Sequence, residues 1–432
     1  MSINKIYNLA KNQLFPICRS ITGNGVKKTL LIIKSYIPEL KIRNFSSGTK
    51  VYDWRIPNEW NVKDAYVVDK SNRKIIDFKK NNLHLMGYSM PVSTMVTKKE
   101  LFNHLYSLPK QTNAVPYVTS YYKKNWGFCV SEKQKIYFKK KYKNSDKFFI
   151  NIDSKFKING KLTYGELIIP GASKKEILLS TYVCHPSMAN NELSGPMVSM
   201  ALIKYFQKKK IKKTIRFIFI PETIGSISYI KKNFIKLKKY TFSGLNLTCL
   251  GDNRNYSYIP TKYKNTISDF AIIRAFKKLN INYKIYSFLD RGSDERQFNS
   301  PGVDLPIATI CRTKFGMYPE YHTSLDNFNI VKKKNIFDSY NFAKLVVKNL
   351  LNSIIPINKI YCEPFLSKRN IYSTISIKKN RNLQAKKILD FLQYADGKND
   401  LVAISEYINL SLAEVKKIYK IVLKYKLVNN IF

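Results

Sequence analysis

The chain has 432 residues, of which 44% are hydrophobic and 13% aromatic, a composition that excludes a disordered protein and predicts two or three folded domains. No apolar run approaches the ~20 residues that a membrane-spanning helix needs, and the first residues lack the apolar core of a secretory signal. The formal net charge is +46, from 75 Lys and Arg against 29 Asp and Glu. That balance predicts a basic surface.

The charge excess is almost all lysine and comes with abundant Ile, Asn and Tyr, as an AT-rich genome would encode on any solvated surface. It lacks the clustered arginines of a surface that reads phosphates, so a nucleic-acid partner is not favoured on this ground. The six cysteines are widely scattered and contain no C-x-x-C spacing. This usage indicates reduced thiols in a cytoplasmic protein.

The first 40 residues predict two amphipathic helices, at 3–14 and 26–36, with a turn between them. The cluster at 18–22 in that turn is read equally well as a capping turn or as a substrate contact. Residues 45–145 predict a mainly β module with one helix near 99–106. Its short strands are predicted at 51–56, 64–69 and 83–88.

From residue 150 strands and helices alternate, which predicts an α/β domain. The strands are predicted at 177–180, 215–220, 245–250 and 305–311, with helices at 194–209, 225–238 and 266–279. Because these strands are almost continuously apolar, the sheet is expected to be covered on both faces. Three further helices, at 383–394, 400–408 and 411–425, resemble a winged helix, and Ser411 with Glu414 predicts a capping box for the last one.

Polar residues follow the predicted strands at the ends where ligands bind in open α/β sheets. His185, Glu222, Asp252 and His322 come after four successive strands. Taken singly, His185, Glu222 and Asp252 are read equally well as a satisfied histidine, a helix cap and a turn residue. His322 favours a metal site more, because the Asp326 carboxylate four residues later can orient a metal-bound imidazole. Together they supply nitrogen and oxygen ligands of a number and type that suit zinc better than magnesium or calcium.

Six sequence motifs resemble those of a bacterial family related to the co-catalytic two-zinc aminopeptidases, whose members are often named as polysaccharide-biosynthesis proteins. The motifs are LFPICRSITGNG, DWRIPNEWNVKDAYV, CHPSMANNELSGP, FIPETIGS, GSDERQF and YPEYHTSLDN. The resemblance spans nearly the whole chain. It implies an α/β/α sandwich of zinc-aminopeptidase type at 1–45 and 146–355, with an inserted mainly β domain at 46–145 and a winged-helix domain at 360–432.

The resemblance implies three metal ligands: His185 as the first zinc ligand, Asp252 as the later carboxylate and His322 as the last histidine. Asn191 falls where the two-zinc enzymes place a bridging Asp. A neutral amide cannot bridge two cations as a carboxylate does. We therefore expect one tightly held zinc, or two with the second held weakly.

The relatives' pair of glutamates is reduced here to Glu222, which serves either as ligand or as general base. If it is a ligand, Glu192 or Glu295 is a candidate to accept the proton. Other polar residues are expected, from their location, to position the centre or to stabilise charge during the reaction. They are Asp294, Asp326, Tyr318, Tyr321 and Arg296.

The sequence thus predicts a zinc-dependent hydrolase that cleaves an amide or peptide bond in a small peptide-like or N-acylated substrate, in surface-polysaccharide or glycan biosynthesis. One rival is a degenerate aminopeptidase fold that binds without hydrolysing; another is a winged-helix regulator that binds DNA. A thiol hydrolase based on Cys184 and His185 is disfavoured, because neighbours on a strand point to opposite faces. A homo-oligomer is left open.

Overall fold

The computed structural model describes residues 2–371 and 383–430. Its largest element is an eight-stranded sheet whose four middle strands run parallel. In sheet order the strands are Lys41–Ser46, Lys161–Ile169, Lys213–Ile220, Ser173–Tyr182, Thr241–Leu247, Ile307–Cys311, Ser257–Ile259 and Lys284–Ile285. The predicted alternation of strands and helices is confirmed.

Both faces of this sheet are buried, as the apolar strands predict. In Ser173–Tyr182, the side chains of Ile177 and Leu179 join one hydrophobic core and that of Leu178 joins the other. The first core includes residues from five helices, namely Ile3–Leu9, Asn24–Tyr36, Ser194–Phe206, Ile267–Lys278 and Lys333–Asn352. The second core includes residues from the helices Ile224–Tyr240 and Glu295–Phe298 and from a smaller sheet.

The smaller sheet is antiparallel and has four strands, in the order Lys74–Asp77, Glu59–Val68, Lys147–Lys157 and Val92–Thr97. Two helices accompany it, Lys98–Asn103 and Glu132–Lys141. The predicted domain limits stay a prediction, and strand Lys147–Lys157 lies just beyond the limit set at residue 145. The strand predicted at 83–88 is wrong, because this segment forms a short 3-10 turn and single bridges to distant loops.

The C-terminal region has the three predicted helices, Leu383–Tyr394, Leu401–Tyr407 and Leu412–Lys424, around a core of their own. The capping box of Ser411 and Glu414 is confirmed. A two-stranded ribbon, Pro356–Asn358 with Val428–Asn430, closes the region. Residues 372–382, 431 and 432 of the predicted winged-helix domain lie outside the described residues.

Arg274 of the large domain pairs with both carboxylate oxygens of Asp400, at 2.7 and 3.0 Å, and so ties the C-terminal helices to the sheet. None of the helices that the structure describes is long and apolar enough to cross a membrane. The parallel strands all end at one edge of the large sheet. The loops that follow Tyr182, Ile220, Leu247 and Cys311 therefore start from this edge.

Candidate metal centre

The loop that follows strand Ser173–Tyr182 is held from two distant parts of the chain. Arg19 Nε donates a hydrogen bond to the carbonyl of His185 at 2.8 Å. Asp326 accepts hydrogen bonds from the amides of residues 189, 190 and 191, at 3.1, 2.6 and 2.9 Å. Asp326, expected from the sequence to support the centre, thus positions the loop that carries His185.

His185 is buried, and its Nδ1 lies 3.0 Å from Glu192 Oε2. Burial alone would lower the pKa of His185, but the adjacent Cys184 sulfur and the Glu192 carboxylate outweigh it and hold this pKa well above its ordinary value. The other Glu192 oxygen lies 3.2 Å from Arg19 Nε, and both side chains are fully buried. A carboxylate on Nδ1 orients the ring and leaves Nε2 as the nitrogen free to bind an ion.

The Nε2 atom of His185 lies 3.7 Å from Glu222 Oε2. Glu222 follows strand Lys213–Ile220, and its side chain keeps 20% exposure. Burial nevertheless raises the pKa of this carboxyl. Its backbone amide donates to Cys184 Sγ at 3.3 Å, which fixes the two strand ends side by side.

His322 approaches the same imidazole from the loop after strand Ile307–Cys311, with ring centroids 5.2 Å apart. It stacks on Tyr321 at 3.9 Å, and its backbone φ of +55° is unusual for a residue other than glycine. Its Nε2 is buried without a hydrogen-bond partner among the described residues. Burial, helped by the nearby His185, lowers the pKa of His322 to about 3, so the ring is neutral at physiological pH.

The donor atoms of these three side chains are of the types that bind zinc. The Nε2 of His322 is buried, and no group in the described part of the chain satisfies it, as a bound ion would. Two imidazole nitrogens and one carboxylate, from His185, His322 and Glu222, are a donor set of catalytic zinc sites, which leave a position open for water or substrate. The site is therefore chemically suited to zinc.

The assignment of Asp252 as a ligand stays a prediction, and its carboxylate is engaged by hydrogen bonds to neighbouring loops. Its oxygens accept hydrogen bonds from Asn190 Nδ2, the backbone amides of Arg254 and Thr313, and the Thr313 hydroxyl, at 2.7–3.1 Å. The strand before it ends at Leu247, earlier than the sequence predicts, so Asp252 lies in the loop beyond the strand end. Its carboxylate serves to join three loops.

Asn191 is buried, and its Oδ1 accepts a hydrogen bond from the Tyr182 hydroxyl at 3.1 Å. The same hydroxyl contacts Thr248 Oγ1, and Thr248 is the residue that directly follows strand Thr241–Leu247. Uncharged side chains thus occupy the region where a second ion would need carboxylates. The sequence did not single out Thr248 or Tyr182, since a hydroxyl after a strand carries no local signal of its role.

Asp294 holds the backbone of Thr223, the residue that follows Glu222. Its Oδ1 accepts hydrogen bonds from the Thr223 amide and the Ser226 hydroxyl, both at 2.8 Å. Thr223 has φ of +63°, a strained conformation for threonine that these bonds help to hold. Burial, followed by the charge of Glu222, raises the pKa of Asp294 to about 7, and its Oδ2 has no hydrogen-bond partner in the described chain.

Three other polar side chains expected at the centre, those of Glu295, Tyr318 and Arg296, form hydrogen bonds with other groups. Glu295 accepts four hydrogen bonds, from the amides of Gly292 and Ser293 and from Asn246 and Thr309, so it has little capacity to take a proton from water. The Tyr318 hydroxyl donates to Asp326 at 2.9 Å. Arg296 donates to the Thr223 hydroxyl at 2.7 Å.

The inserted region contributes Tyr117, which sequence reasoning missed. Its ring makes edge contacts with His185 at 5.4 Å and with His322 at 5.2 Å, and its amide donates to the His322 carbonyl at 2.8 Å. The segment around it also bridges to Thr323. Tyr117 lies 68 positions before His185 in the sequence, and no periodic pattern connects positions so far apart.

The prediction that Cys184 and His185 point to opposite faces of a strand is wrong. The strand ends at Tyr182, so side chains no longer alternate, and Cys184 Sγ lies 3.6 Å from His185 Nδ1. Burial, however, raises the pKa of Cys184 to about 11, which keeps the thiol protonated. The shorter contact of Nδ1 is the one to Glu192.

Comparison with known proteins gives two family matches. A profile described as "Domain of unknown function (DUF4910)" matches residues 7–353, and one described as winged helix-turn-helix matches residues 354–430. A Clostridium acetobutylicum protein, named for polysaccharide biosynthesis and an aminopeptidase-like domain, is 42% identical over 415 residues, which are 95% of this chain and 93% of the relative.

Solved structures agree on the fold. A C. acetobutylicum structure described as a peptidase superposes with a TM-score of 0.80 at 39% identity, over 99% of this chain and 96% of that one. The zinc aminopeptidase BSAP of Bacillus subtilis matches with a TM-score of 0.60 at 14% identity, over 81% and 94%. At that identity the match establishes the fold alone. The predicted aminopeptidase-like α/β fold with a C-terminal winged helix is confirmed.

Proposed function

This chain belongs to the family described as DUF4910, whose members combine an aminopeptidase-like domain with a winged helix, and on that premise we propose that it is a zinc-dependent hydrolase. Its reaction is the cleavage of an amide or peptide bond in a small peptide-like or N-acylated substrate. The observation that carries the proposal is the grouping of three side chains. Glu222 Oε2 lies 3.7 Å from His185 Nε2, and the ring of His322, whose Nε2 has no hydrogen-bond partner among the described residues, lies 5.2 Å from the His185 ring.

In the proposed site, His185 Nε2, His322 Nε2 and a Glu222 oxygen hold the ion. When bound, zinc supplies Lewis acidity to a water molecule and to a scissile carbonyl. Glu192 keeps the His185 ring in one orientation and keeps its proton on Nδ1, so Glu192 is a positioning residue and not the base.

Asp294 is the proposed proton acceptor. Its free Oδ2 and a pKa raised to about 7 match what general-base catalysis near neutral pH needs. Tyr321, packed flat on His322, is the proposed contact for the negative charge that develops on the substrate. Asp252 is left out of the proposed ligand set, because its four hydrogen bonds use both of its oxygens.

We propose one zinc per chain. The neutral side chains of Asn191 and Thr248 offer a second ion no carboxylate to replace the one that the two-zinc enzymes use as a bridge. The name of the 42% identical relative supports a substrate from surface-polysaccharide or glycan synthesis. All six cysteines lie in the described chain and are unpaired, which supports a reducing, cytoplasmic location.

The test is metal analysis of the purified protein together with amine release from a panel of aminoacyl and N-acyl-sugar amides. We expect about one zinc per chain and hydrolysis, both lost in His185→Ala. His104→Ala is the matched control, since His104 stacks on Trp126 away from the centre. Zinc without hydrolysis would instead favour the non-hydrolysing binder, and zinc retained in His185→Ala would refute the site.

A further inference from the structure

A cavity of about 500 Å³ opens in the inserted region. This volume lies within the ~300–1,000 Å³ of typical small-molecule sites. Four aromatic rings line it, those of Tyr88, Tyr121, Tyr122 and Phe156. All its lining residues lie within residues 48–156, so the large sheet supplies none of them.

The rings at the base of the cavity are held rigidly. Tyr88 stacks on Trp60 at 5.6 Å, and its hydroxyl lies 2.6 Å from Thr22 Oγ1. Tyr121 and Phe156 meet the Tyr88 ring edge-on, at 5.3 and 5.9 Å. Aromatic walls fixed in this way present preorganised flat surfaces to a ligand ring.

The rim of the cavity is cationic. Arg55, Lys123 and Lys124 line it, and no acidic residue does. Among the described residues, none of these three side chains forms an ion pair, so their charges are available to a ligand. Cations are common on this basic chain, and it is their position around fixed rings that gives the cavity a specific chemistry.

One pair of tyrosines separates the cavity from the candidate metal centre. Tyr121, a wall of the cavity, places its hydroxyl 2.6 Å from the Tyr117 hydroxyl. The Tyr117 ring in turn contacts both His185 and His322. The cavity and the candidate centre are thus linked by direct contacts through these two tyrosines.

We propose that this cavity binds an acidic sugar unit of the substrate, a pyranose that carries a carboxylate. The apolar face of the pyranose would lie on the rings, and the carboxylate would meet the three cations. This assignment rests on the proposed function, since it identifies the part of the substrate that the inserted region holds while the large sheet supplies the hydrolytic centre.

Binding is measured by tryptophan fluorescence, because Trp60 stacks on Tyr88 and Trp54 lies 6.0 Å from Tyr122. The probes are glucuronic acid, glucose and benzoic acid. We expect a saturable change with glucuronic acid and binding about tenfold weaker with glucose, the loss of one charge-assisted contact. Equal binding of glucose, or tighter binding of benzoic acid, would overturn the sugar-acid assignment.

The double variant Lys123→Ala/Lys124→Ala should weaken glucuronic acid binding about tenfold. The control is Lys139→Ala/Lys140→Ala, two exposed lysines of helix Glu132–Lys141 that do not line the cavity and change the net charge equally. Equal weakening in both variants would overturn the cavity assignment, because the effect would then come from net charge.

The titration is repeated on zinc-free His185→Ala. Saturable binding there, with hydrolysis absent even from the native protein, would refute the proposed hydrolase and sustain the cavity as a sugar-acid site. Hydrolysis by the native protein without saturable glucuronic acid binding would overturn the inference and leave the proposed function intact.

Discussion

The two ring nitrogens of His185 face very different surroundings. On the Nδ1 side, Glu192 Oε2 lies 3.0 Å from His185 Nδ1, and Glu192 Oε1 lies 3.2 Å from Arg19 Nε. The side chains of Glu192 and Arg19 are both fully buried. On the Nε2 side Glu222 keeps 20% exposure and His322 has an unpartnered nitrogen. The contacts on the Nδ1 side hold the ring in place, whereas the Nε2 side presents the donor atoms that an ion would bind.

This difference decides where an ion belongs. Cys184, His185 and Glu192 are a compact group of donor atoms, within 4.8 Å of one another. The Arg19 guanidinium already supplies positive charge there, and in a buried site a second cation would be strongly repelled. On the Nε2 side, Glu222 forms no ion pair with an arginine or lysine among the described residues, and Arg296 acts on it only at longer range, so we assign the ion to this side.

The largest expected effect on stability comes from removing the buried Arg19–Glu192 ion pair on the Nδ1 side. Arg19→Met leaves the buried Glu192 with His185 as its remaining charged partner in the described chain, and should lower the free energy of unfolding by about 3–5 kcal/mol in urea denaturation. Arg43→Met is the control: Arg43 pairs with Glu166 at 2.8 Å but is 44% exposed, and should cost about 0–1 kcal/mol. Equal losses would contradict a charge-held Nδ1 side.

A smaller effect is expected when the orienting carboxylate becomes neutral. Glu192→Gln keeps the size of the side chain but removes the negative charge beside His185 Nδ1. This change should weaken zinc affinity about 10–100-fold in chelator competition. Asp252→Asn should leave zinc affinity unchanged, because four hydrogen bonds already occupy the two oxygens of Asp252. Reversed results would move the ligand assignment to Asp252.

The two histidines should also titrate in opposite directions in zinc-free protein. His322 has a folded-state pKa lowered to about 3, so below pH 6.5 the unfolded chain takes up a proton that the folded chain does not, and stability falls as pH falls. The loss from pH 7 to 5 should be about 2 kcal/mol. His322→Gln should remove this loss on the acid side.

His185 has a raised pKa, so its contribution is fully present below pH 6.5 and is lost as pH rises through the folded value. In His185→Gln, the free energy of unfolding should therefore fall less steeply between pH 7 and pH 9 than in the native protein, and its dependence on pH below 7 should not change. Urea titrations at pH 5, 7 and 9 measure both slopes. The same change of slope in both variants would show that the two sides of the centre are not electrostatically distinct.

The sequence placed His185, Glu222 and His322 correctly after their strands, because an apolar run ends where the chain leaves a buried sheet. It placed Asp252 in the same set for the same reason. In the structure the hydrogen-bond donors of Asp252 include residues far along the chain, such as Thr313, 61 residues after it. No local pattern reveals whether a carboxylate has free lone pairs.

The sequence by itself determined the order of strands and helices, the parallel α/β core and the strand ends from which the centre is built. Only the tertiary structure decided the role of each polar side chain. Arg19 reaches His185 across 166 residues, and Asp326 reaches Asn190 across 136. Periodicity reports which face of an element is buried, whereas the chemistry of a buried group depends on the partners that folding brings to it.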